Sequence, residues 1–216
     1  MQKRRKESSA AAVNETVMDM MDAAILDLGL SSPNQPNFDH IPVEDIVRGG
    51  DMIVNVGKHE VTARYRVSSQ FLWVTSSTFA AWFGPNSQFS RPRDSVTLDD
   101  DPEALKLVFK ILCYKHEELP ETMDLDSLVG ICRIADKYHL EGPLRLVVIP
   151  WIKEQASHIK SYDDKAKFRD HRWLFVSWVF RCDDVFVEAT RRLSTVSTEY
   201  LDDMPDVPEG LTGLKT

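Results

Sequence analysis

The sequence lacks the cysteine patterns that would identify a disulfide scaffold or a zinc site. It holds three cysteines in 216 residues, and they are spaced far apart with no C-x-x-C pair. Each of them, Cys113, Cys132 and Cys182, lies in an apolar stretch of the chain. We therefore interpret all three as buried, reduced side chains that act as small hydrophobic residues.

Long apolar runs are also missing. No run reaches the ~18 residues that a membrane-spanning helix needs, and the basic residues near the N-terminus are not followed by the apolar region of a secretory signal. These two observations predict a protein without a membrane partner. We expect it in the cytoplasm, the nucleus or both.

The spacings that create common catalytic and metal sites are not found. The chain has no G-x-S-x-G, no G-x-x-x-x-G-K-[ST], no G-x-G-x-x-G after a strand and no H-E-x-x-H. Its six histidines are scattered. The neighbours Glu117 and Glu118 point apart, and the acidic run at 99–101 has no second carboxylate cluster nearby in the sequence. We expect no enzyme activity, no cofactor and no metal, although an enzyme of an unrecognised type stays open.

Positive charge is scarce outside one short segment. The formal net charge is −8, and the first thirteen residues, with Lys3, Arg4, Arg5 and Lys6, carry +3, which leaves −11 for the remainder. An acidic body repels phosphate backbones, so we expect no direct nucleic-acid partner. The basic segment is the one region where phosphate binding or nuclear import remains open.

What is present is the composition of a folded protein, with 43% hydrophobic and 28% charged residues. The length allows one main core and a smaller second unit. Residues 1–37 are interpreted as a flexible basic tail, an amphipathic helix from Asn14 to Gly29 and a proline-containing linker. The helix has an apolar face formed by Val17, Met20, Met21, Ala24, Ile25 and Leu28.

Residues 38–155 show strand patterns followed by helix patterns. Alternating apolar residues predict a hairpin between 51–57 and 61–67. The apolar content of 71–83 predicts two short helices, the second of which starts at Ser76 or Ser77. A short strand is expected over 95–98. The sequence thus predicts an α+β domain with a short three-stranded sheet.

About five helices are expected around that sheet. Asp101 and Pro102 suit the N-cap and first position of a helix that continues to Tyr114. A second helix is expected over 124–139, and a third begins at Gly142-Pro143 and should end or kink at Pro150. Helices in 173–180 and 183–193 are assigned to a C-terminal helical extension over 156–203, followed by a disordered tail over 204–216.

Three motifs, in this order, resemble the BTB/POZ family. The first runs from Asp51 through Val56-Gly57 to a pattern that contains Leu72, Ser76, Phe79 and Phe83. The second is L-D-D-D-P-E-A at 98–104, leading to L-C-Y at 112–114, and the third is A-D-K-Y-H-L at 135–140. The resemblance covers about residues 47–155, and the tryptophan-rich extension looks like that of fungal BTB-only proteins.

The resemblance implies the BTB/POZ fold and a non-enzymatic protein-interaction module that forms homodimers and acts as a scaffold or adaptor. It implies that the helix carrying Val17, Met20, Met21, Ile25 and Leu28 serves dimerisation, unless that helix folds back on its own domain. Two alternatives follow from the same family. One is a substrate adaptor of a cullin-3 ubiquitin ligase, and the other is a transcription-associated regulator without its own DNA-binding domain.

Candidate protein-binding residues are taken from the positions that match the family's motifs. They are Asp51, Ser69, Phe89, Arg91, Tyr114, His116 and Glu118. Ser68-Ser69 stands where many members have His-Lys, so Asp51 lacks the basic partner of the repressor members. Arg91 places positive charge where cullin-binding members have an acid, which disfavours the adaptor alternative.

Overall fold

The computed structural model of the chain describes residues 38–85, 95–158 and 171–194. The chain divides after Pro42, and the elements below belong to the unit that begins at Val43. The proposed dimer helix, with Val17, Met20, Met21, Ile25 and Leu28, lies outside the described residues, as do Phe89 and Arg91. The architecture is mixed α+β, as the sequence predicts.

The sheet has four strands rather than the three that the sequence predicts. They are β1 (Val43–Asp45), β2 (Met52–Val56), β3 (Ala63–Val67) and β4 (Ser95–Leu98), in the order β1-β3-β2-β4. The β2–β3 hairpin is antiparallel and pairs Val54 with Tyr65, while β1 runs parallel to β3 and β4 parallel to β2. The hairpin and β4 confirm the predictions for these segments.

Strand β1 was missed because its three residues are too few to show alternation. Two of them are acidic and form ion pairs with other elements, while parallel pairing with β3 holds the strand in place. Asp45 accepts from Arg66 of β3 at 2.7 Å, and Glu44 contacts the Lys106 ammonium at 2.8 Å. Tertiary contacts, not local sequence preference, therefore make this segment a strand.

Two short helices follow the hairpin, as predicted. They are α1 (Ser69–Thr75) and α2 (Ser77–Phe83). Ser76 separates them: its backbone N–H donates to the Leu72 carbonyl at the end of α1, and its hydroxyl accepts from the Phe79 N–H at the start of α2. One buried serine thus ends one helix and begins the next.

The next two helices begin at the predicted aspartates. Helix α3 (Pro102–Leu112) is capped by Asp101, whose carboxylate accepts from the Ala104 N–H at 2.9 Å. Helix α4 (Leu125–Tyr138) is capped by Asp124, which accepts from the Ser127 N–H at 2.8 Å. Both helices bury most of one face, and they contact each other in the core of the molecule.

Helix α5 (Glu141–His158) continues through Pro150, so of the two predicted effects of this proline, an end or a kink, the end does not occur. Proline removes one backbone hydrogen bond, the one that the Leu146 carbonyl would accept. That turn faces solvent, since the Leu146 side chain is 87% exposed, so water can hydrate the carbonyl. Buried Val148 and Ile152 anchor the helix on either side of the proline.

Two further helices complete the described chain, α6 (Arg172–Val179) and α7 (Asp183–Ser194). Helix α6 packs on α4 and buries a run of four apolar residues. These are Trp173, Leu174, Phe175 and Val176. The predicted boundary at residue 156 falls inside α5, which therefore belongs to both the main domain and the extension.

Candidate protein-interaction surface

Two of the predicted binding residues, Asp51 and Ser69, contact each other. The Asp51 carboxylate accepts the Ser69 backbone N–H at 2.8 Å and the Ser69 hydroxyl at 2.5 Å. Ser68, the N-cap residue of α1, makes no side-chain cap. Asp51, which lies just before β2, supplies the capping acceptor in its place.

These bonds change the acidity of the Asp51 carboxyl group. Partial burial raises its pKa, but the hydrogen bonds from the Ser69 hydroxyl and N–H favour the charged form, and the net pKa lies below its usual value. The carboxylate is thus held ionised by serine and not by a basic residue. Its acceptor sites are directed at α1, which gives this pair a structural role.

The three motifs that carry the BTB/POZ resemblance meet around Tyr138. The Tyr138 hydroxyl donates to the buried Asp100 carboxylate, which also accepts from the Lys137 ammonium at 2.9 Å. The Ser76 hydroxyl donates to the Tyr138 carbonyl at 2.6 Å. The Tyr138 ring stacks on Phe79, with 4.8 Å between centroids. Distant parts of the sequence therefore form one buried network, which joins α2, the segment before α3, and α4.

An exposed aromatic group stands at the C-terminal end of α3. Tyr114 is 77% exposed, and its ring lies edge-on to Phe71 of α1 at 6.4 Å and stacked with His116 at 6.0 Å. Val74, one turn along α1 from Phe71, is 55% exposed. We call Phe71, Val74, Tyr114 and His116 the aromatic patch.

The backbone at Tyr114 directs this side chain outward. Its φ is +59°, in the left-handed region that favours glycine. The Tyr114 N–H donates to the Ile111 carbonyl at 3.1 Å and the Lys115 N–H to the Lys110 carbonyl at 2.8 Å. This is the Schellman pattern of a helix C-terminus, with tyrosine at the position that glycine usually occupies.

The remaining predicted residue at this end, Glu118, belongs to a short 3₁₀ helix (His116–Glu118). Its carboxylate contacts the Lys110 ammonium at 3.2 Å and that of Lys115 at 3.9 Å. These ion pairs fix the segment against the end of α3. Cys113, just before Tyr114, is buried, and burial raises the pKa of its thiol to about 11, so it is a poor nucleophile.

The structure thus brings three predicted residues to α1, with Asp51 and Ser69 at its start and Tyr114 against its side, and stacks His116 on Tyr114. Sequence reasoning missed Phe71 and Val74 as surface residues because their apolar character suggested the core. No local signal separates the two cases, because α6 buries four consecutive apolar residues, 173–176, whereas among 71–74 only Leu72 is buried.

Within the described ranges, no group of three or more His, Cys, Asp or Glu side chains is arranged to hold a metal ion. No helix of the described residues is long and apolar enough to cross a membrane. Neither a scan against protein-family models nor a search of curated proteins finds a match to this chain.

Proposed function

We propose that this chain is a non-enzymatic protein-interaction module of the BTB/POZ type, which self-associates and acts as a scaffold or adaptor in the cytoplasm, the nucleus or both. The observation that carries the proposal is the aromatic patch. Tyrosine is enriched at the energetic centres of protein interfaces, where it contributes a large contact area at a low cost in side-chain entropy.

The backbone at Tyr114 supports a role in binding. A residue with a β-carbon in the left-handed region costs about 1 kcal/mol relative to glycine. The tyrosine also gains little from burial, because it is 77% exposed. Folding alone would favour glycine at this position, and a side chain that folding does not require is expected where binding requires it.

The buried network around Tyr138 supports the family assignment. Independent segments that resemble family motifs need not touch, but here Ser76, Asp100 and Tyr138 form direct hydrogen bonds. The resemblance thus involves residues that the fold brings together. Their burial makes them structural, which is why the proposed binding function is placed on the aromatic patch.

Substitution of Tyr114 by glycine tests the binding role. The Tyr114→Gly variant should self-associate more weakly, with a dissociation constant raised about tenfold or more, as for a central interface tyrosine. Its folding stability should rise. Sedimentation equilibrium at high micromolar concentration measures the first effect and denaturant unfolding the second. The His139→Gly variant, which makes the same backbone change at the end of α4, is the matched control and should associate normally.

The self-association part of the proposal is wrong if the wild-type chain is monomeric at high micromolar concentration and its sedimentation profile does not change after deletion of residues 1–37. The scaffold role is tested separately by affinity purification. Partners retained by the wild type and lost by Tyr114→Gly support it, whereas identical partner sets for the two proteins contradict it.

Adaptor function for a cullin-3 ubiquitin ligase is the second candidate. The exposed segment Tyr114–Leu119 favours it, since it lies at the end of α3, where the family resemblance puts the cullin contact. A pull-down with the purified cullin N-terminal domain decides the question. Binding that Tyr114→Gly weakens supports the adaptor role, and no binding at tens of micromolar ends it.

A further inference from the structure

Strand β4 forms one edge of the sheet. It pairs with β2 on one side, and no other described strand pairs with it. Its side chains alternate, with Val96 and Leu98 buried and Ser95 and Thr97 exposed. Sheet edges in natural proteins usually carry charged residues or proline, which prevent pairing with a further strand. The four residues of β4 include neither, so this edge lacks that protection.

The backbone groups on the outer side of β4 have no partner among the described residues. The Leu98 carbonyl accepts from the Gly57 N–H at 3.2 Å, so Leu98 directs its backbone groups toward β2. Neighbouring residues of a strand direct these groups to opposite sides. Ser95 and Thr97 therefore direct their N–H and C=O groups away from β2, where an added strand can bind them.

Exposed acids follow at the C-terminal end of β4. The side chains of Asp99, Asp101 and Glu103 are exposed, and within the described chain none of the three carboxylates forms an ion pair. The Lys137 ammonium binds the buried Asp100 carboxylate instead, at 2.9 Å, and contacts the Asp99 backbone carbonyl at 3.4 Å. The three exposed carboxylates are therefore not neutralised.

The β2–β3 turn lies at the same end, because β2 and β4 run parallel. It contributes Lys58 and Glu60, whose charges cancel. This end of the open edge is thus negative, with three exposed carboxylates in excess. An extended ligand that lies along β4 is most complementary to this surface when it carries Lys or Arg at that end.

We propose that an extended, basic segment of a partner protein adds to the open edge of β4 as an outer strand. Its main chain forms hydrogen bonds with Ser95 and Thr97, and its Lys or Arg side chains lie at Asp99 and Glu103. Antiparallel pairs are slightly more stable than parallel ones, so the basic residues are expected N-terminal to the paired residues. The inference goes beyond the proposed function, because it adds a second binding surface, which contacts the main chain of its ligand.

The test uses the full chain and a fluorescein-labelled peptide, Lys-Arg-Thr-Val-Thr-Val-Thr, with fluorescence anisotropy as the readout. Only alternate amides of an added strand face β4, so two N-methylated peptides are compared, one methylated at both valines and the other at the first two threonines. One of them should bind at least about tenfold more weakly than the parent peptide, as for the loss of two hydrogen bonds, and the other almost as well as the parent. This comparison needs no change in the protein.

Charge reversal tests the acidic end. Asp99→Lys with Glu103→Lys should bind the labelled peptide about tenfold more weakly than the wild type does. The same variant should bind the matched peptide with Glu-Glu in place of Lys-Arg more tightly than the wild type does. Glu117→Lys with Glu121→Lys makes the same change in net charge at exposed residues of other segments and should leave binding unchanged.

Substitutions at Thr97 test the backbone contact from the side of the protein. Thr97→Pro removes an N–H that the sheet itself does not use, so circular dichroism should show a folded protein while peptide binding is lost. Thr97→Val keeps both backbone groups and should bind like the wild type. Tyr114→Gly should leave peptide binding unaltered, which keeps this proposal distinct from the aromatic patch.

Equal affinities of the two N-methylated peptides, or of the Lys-Arg and Glu-Glu peptides, would overturn the proposal, as would equal losses in the two charge-reversal variants. If Thr97→Pro abolishes self-association in sedimentation equilibrium and the peptide does not bind, a second copy occupies the edge, and the proposal of a separate partner is wrong. It is also wrong if deletion of residues 1–6 raises the affinity for the peptide, because the chain's own basic segment, with Lys3, Arg4, Arg5 and Lys6, is then the occupant.

Discussion

In the described part of the chain, three helices end on a bulky residue in the left-handed backbone region. Tyr114, His139 and Arg181 have φ of +59°, +54° and +52°, at the ends of α3, α4 and α6. At each of them the same pair of hydrogen bonds closes the helix. Tyr114 belongs to the aromatic patch, whereas His139 does not. The left-handed backbone therefore does not by itself mark a binding residue, and the exposed ring of Tyr114 beside Phe71 is what distinguishes it.

His139 offers a measurement of that strain without a change in binding. The unfolding free energy of the His139→Gly variant should be about 0.5–1 kcal/mol higher than that of the wild type, because glycine removes the penalty of the left-handed backbone. The gain is smaller than the full penalty, because glycine also raises the conformational entropy of the unfolded chain. Chemical denaturation measures the difference. His139→Ala keeps the β-carbon and should show no gain, and equal stability of the glycine and alanine variants would contradict the account.

The Asp51 carboxylate gives stability a dependence on pH. Its pKa is lower in the folded protein than in the unfolded chain, so its bonds to Ser69 stabilise the fold above the ordinary aspartate pKa of about 3.9. This stabilisation is lost as the pH falls through the lower pKa of the folded state.

Asp51→Ala should lower the unfolding free energy by about 1 kcal/mol at pH 7, as for a helix cap, and the difference from the wild type should shrink below pH ~4. Glu121→Ala, at an exposed loop position, is the control. If the loss of unfolding free energy in Asp51→Ala stays constant down to pH ~2, the charge of the carboxylate is not the cause of that loss.

At the scale of secondary-structure elements, Tyr138 connects the end of α4 to the segment before α3. The burial of Tyr138 and the nearby Asp100 charge raise the pKa of its hydroxyl, which therefore remains a donor at all physiological pH values. Asp100 is 7% exposed and depends on this donor and on Lys137. The hydroxyl is thus a required partner of a buried charge.

Removal of that hydroxyl should be costly. Tyr138→Phe leaves the Asp100 carboxylate with Lys137 as its remaining side-chain donor, and we expect a loss of about 1–3 kcal/mol in unfolding free energy. Tyr114→Phe removes an exposed hydroxyl and should have almost no effect on stability. Equal losses in the two variants, measured by urea denaturation, would show that the Asp100 contact contributes nothing specific.

Elements with local signals could be predicted, and those formed by distant contacts could not. Asp101 and Asp124 identify their helix starts because capping depends on residues two or three positions apart. Strand β1 depends on its pairing with β3, some twenty residues along the chain, which no local pattern reveals. Similarly, motif positions indicated Tyr114, but the exposure of Val74 follows from how helices pack.

At the scale of the whole molecule, the helical extension shares its core with the rest of the chain. Trp173 is 1% exposed, and α6 packs on α4. Helix α5 runs across the predicted boundary without a break. Described residues from Val43 onward therefore belong to one compact unit, and we expect them to unfold as one.

Trp173→Ala should lower the unfolding free energy by about 3–5 kcal/mol, as for a large residue removed from a core. Pulsed alkylation tests cooperativity, because buried Cys113 in the main domain and Cys182 in the extension react only after opening. Within each protein, wild type or variant, both thiols should become reactive at the same denaturant concentration. Earlier labelling of Cys182 would show that the extension unfolds separately. Trp178→Phe, at an exposed position, is the control.

The short strand β1 also has a consequence for solubility. Among the described strands it forms one edge of the sheet, and an open edge invites pairing with a strand of another molecule. Its three residues offer little length for such pairing, and Glu44 and Asp45 place negative charge along it. Both acids are ion-paired, to Lys106 and Arg66, and charged side chains along an edge strand oppose its pairing with another strand. Sheet-to-sheet pairing of two copies at β1 is therefore disfavoured.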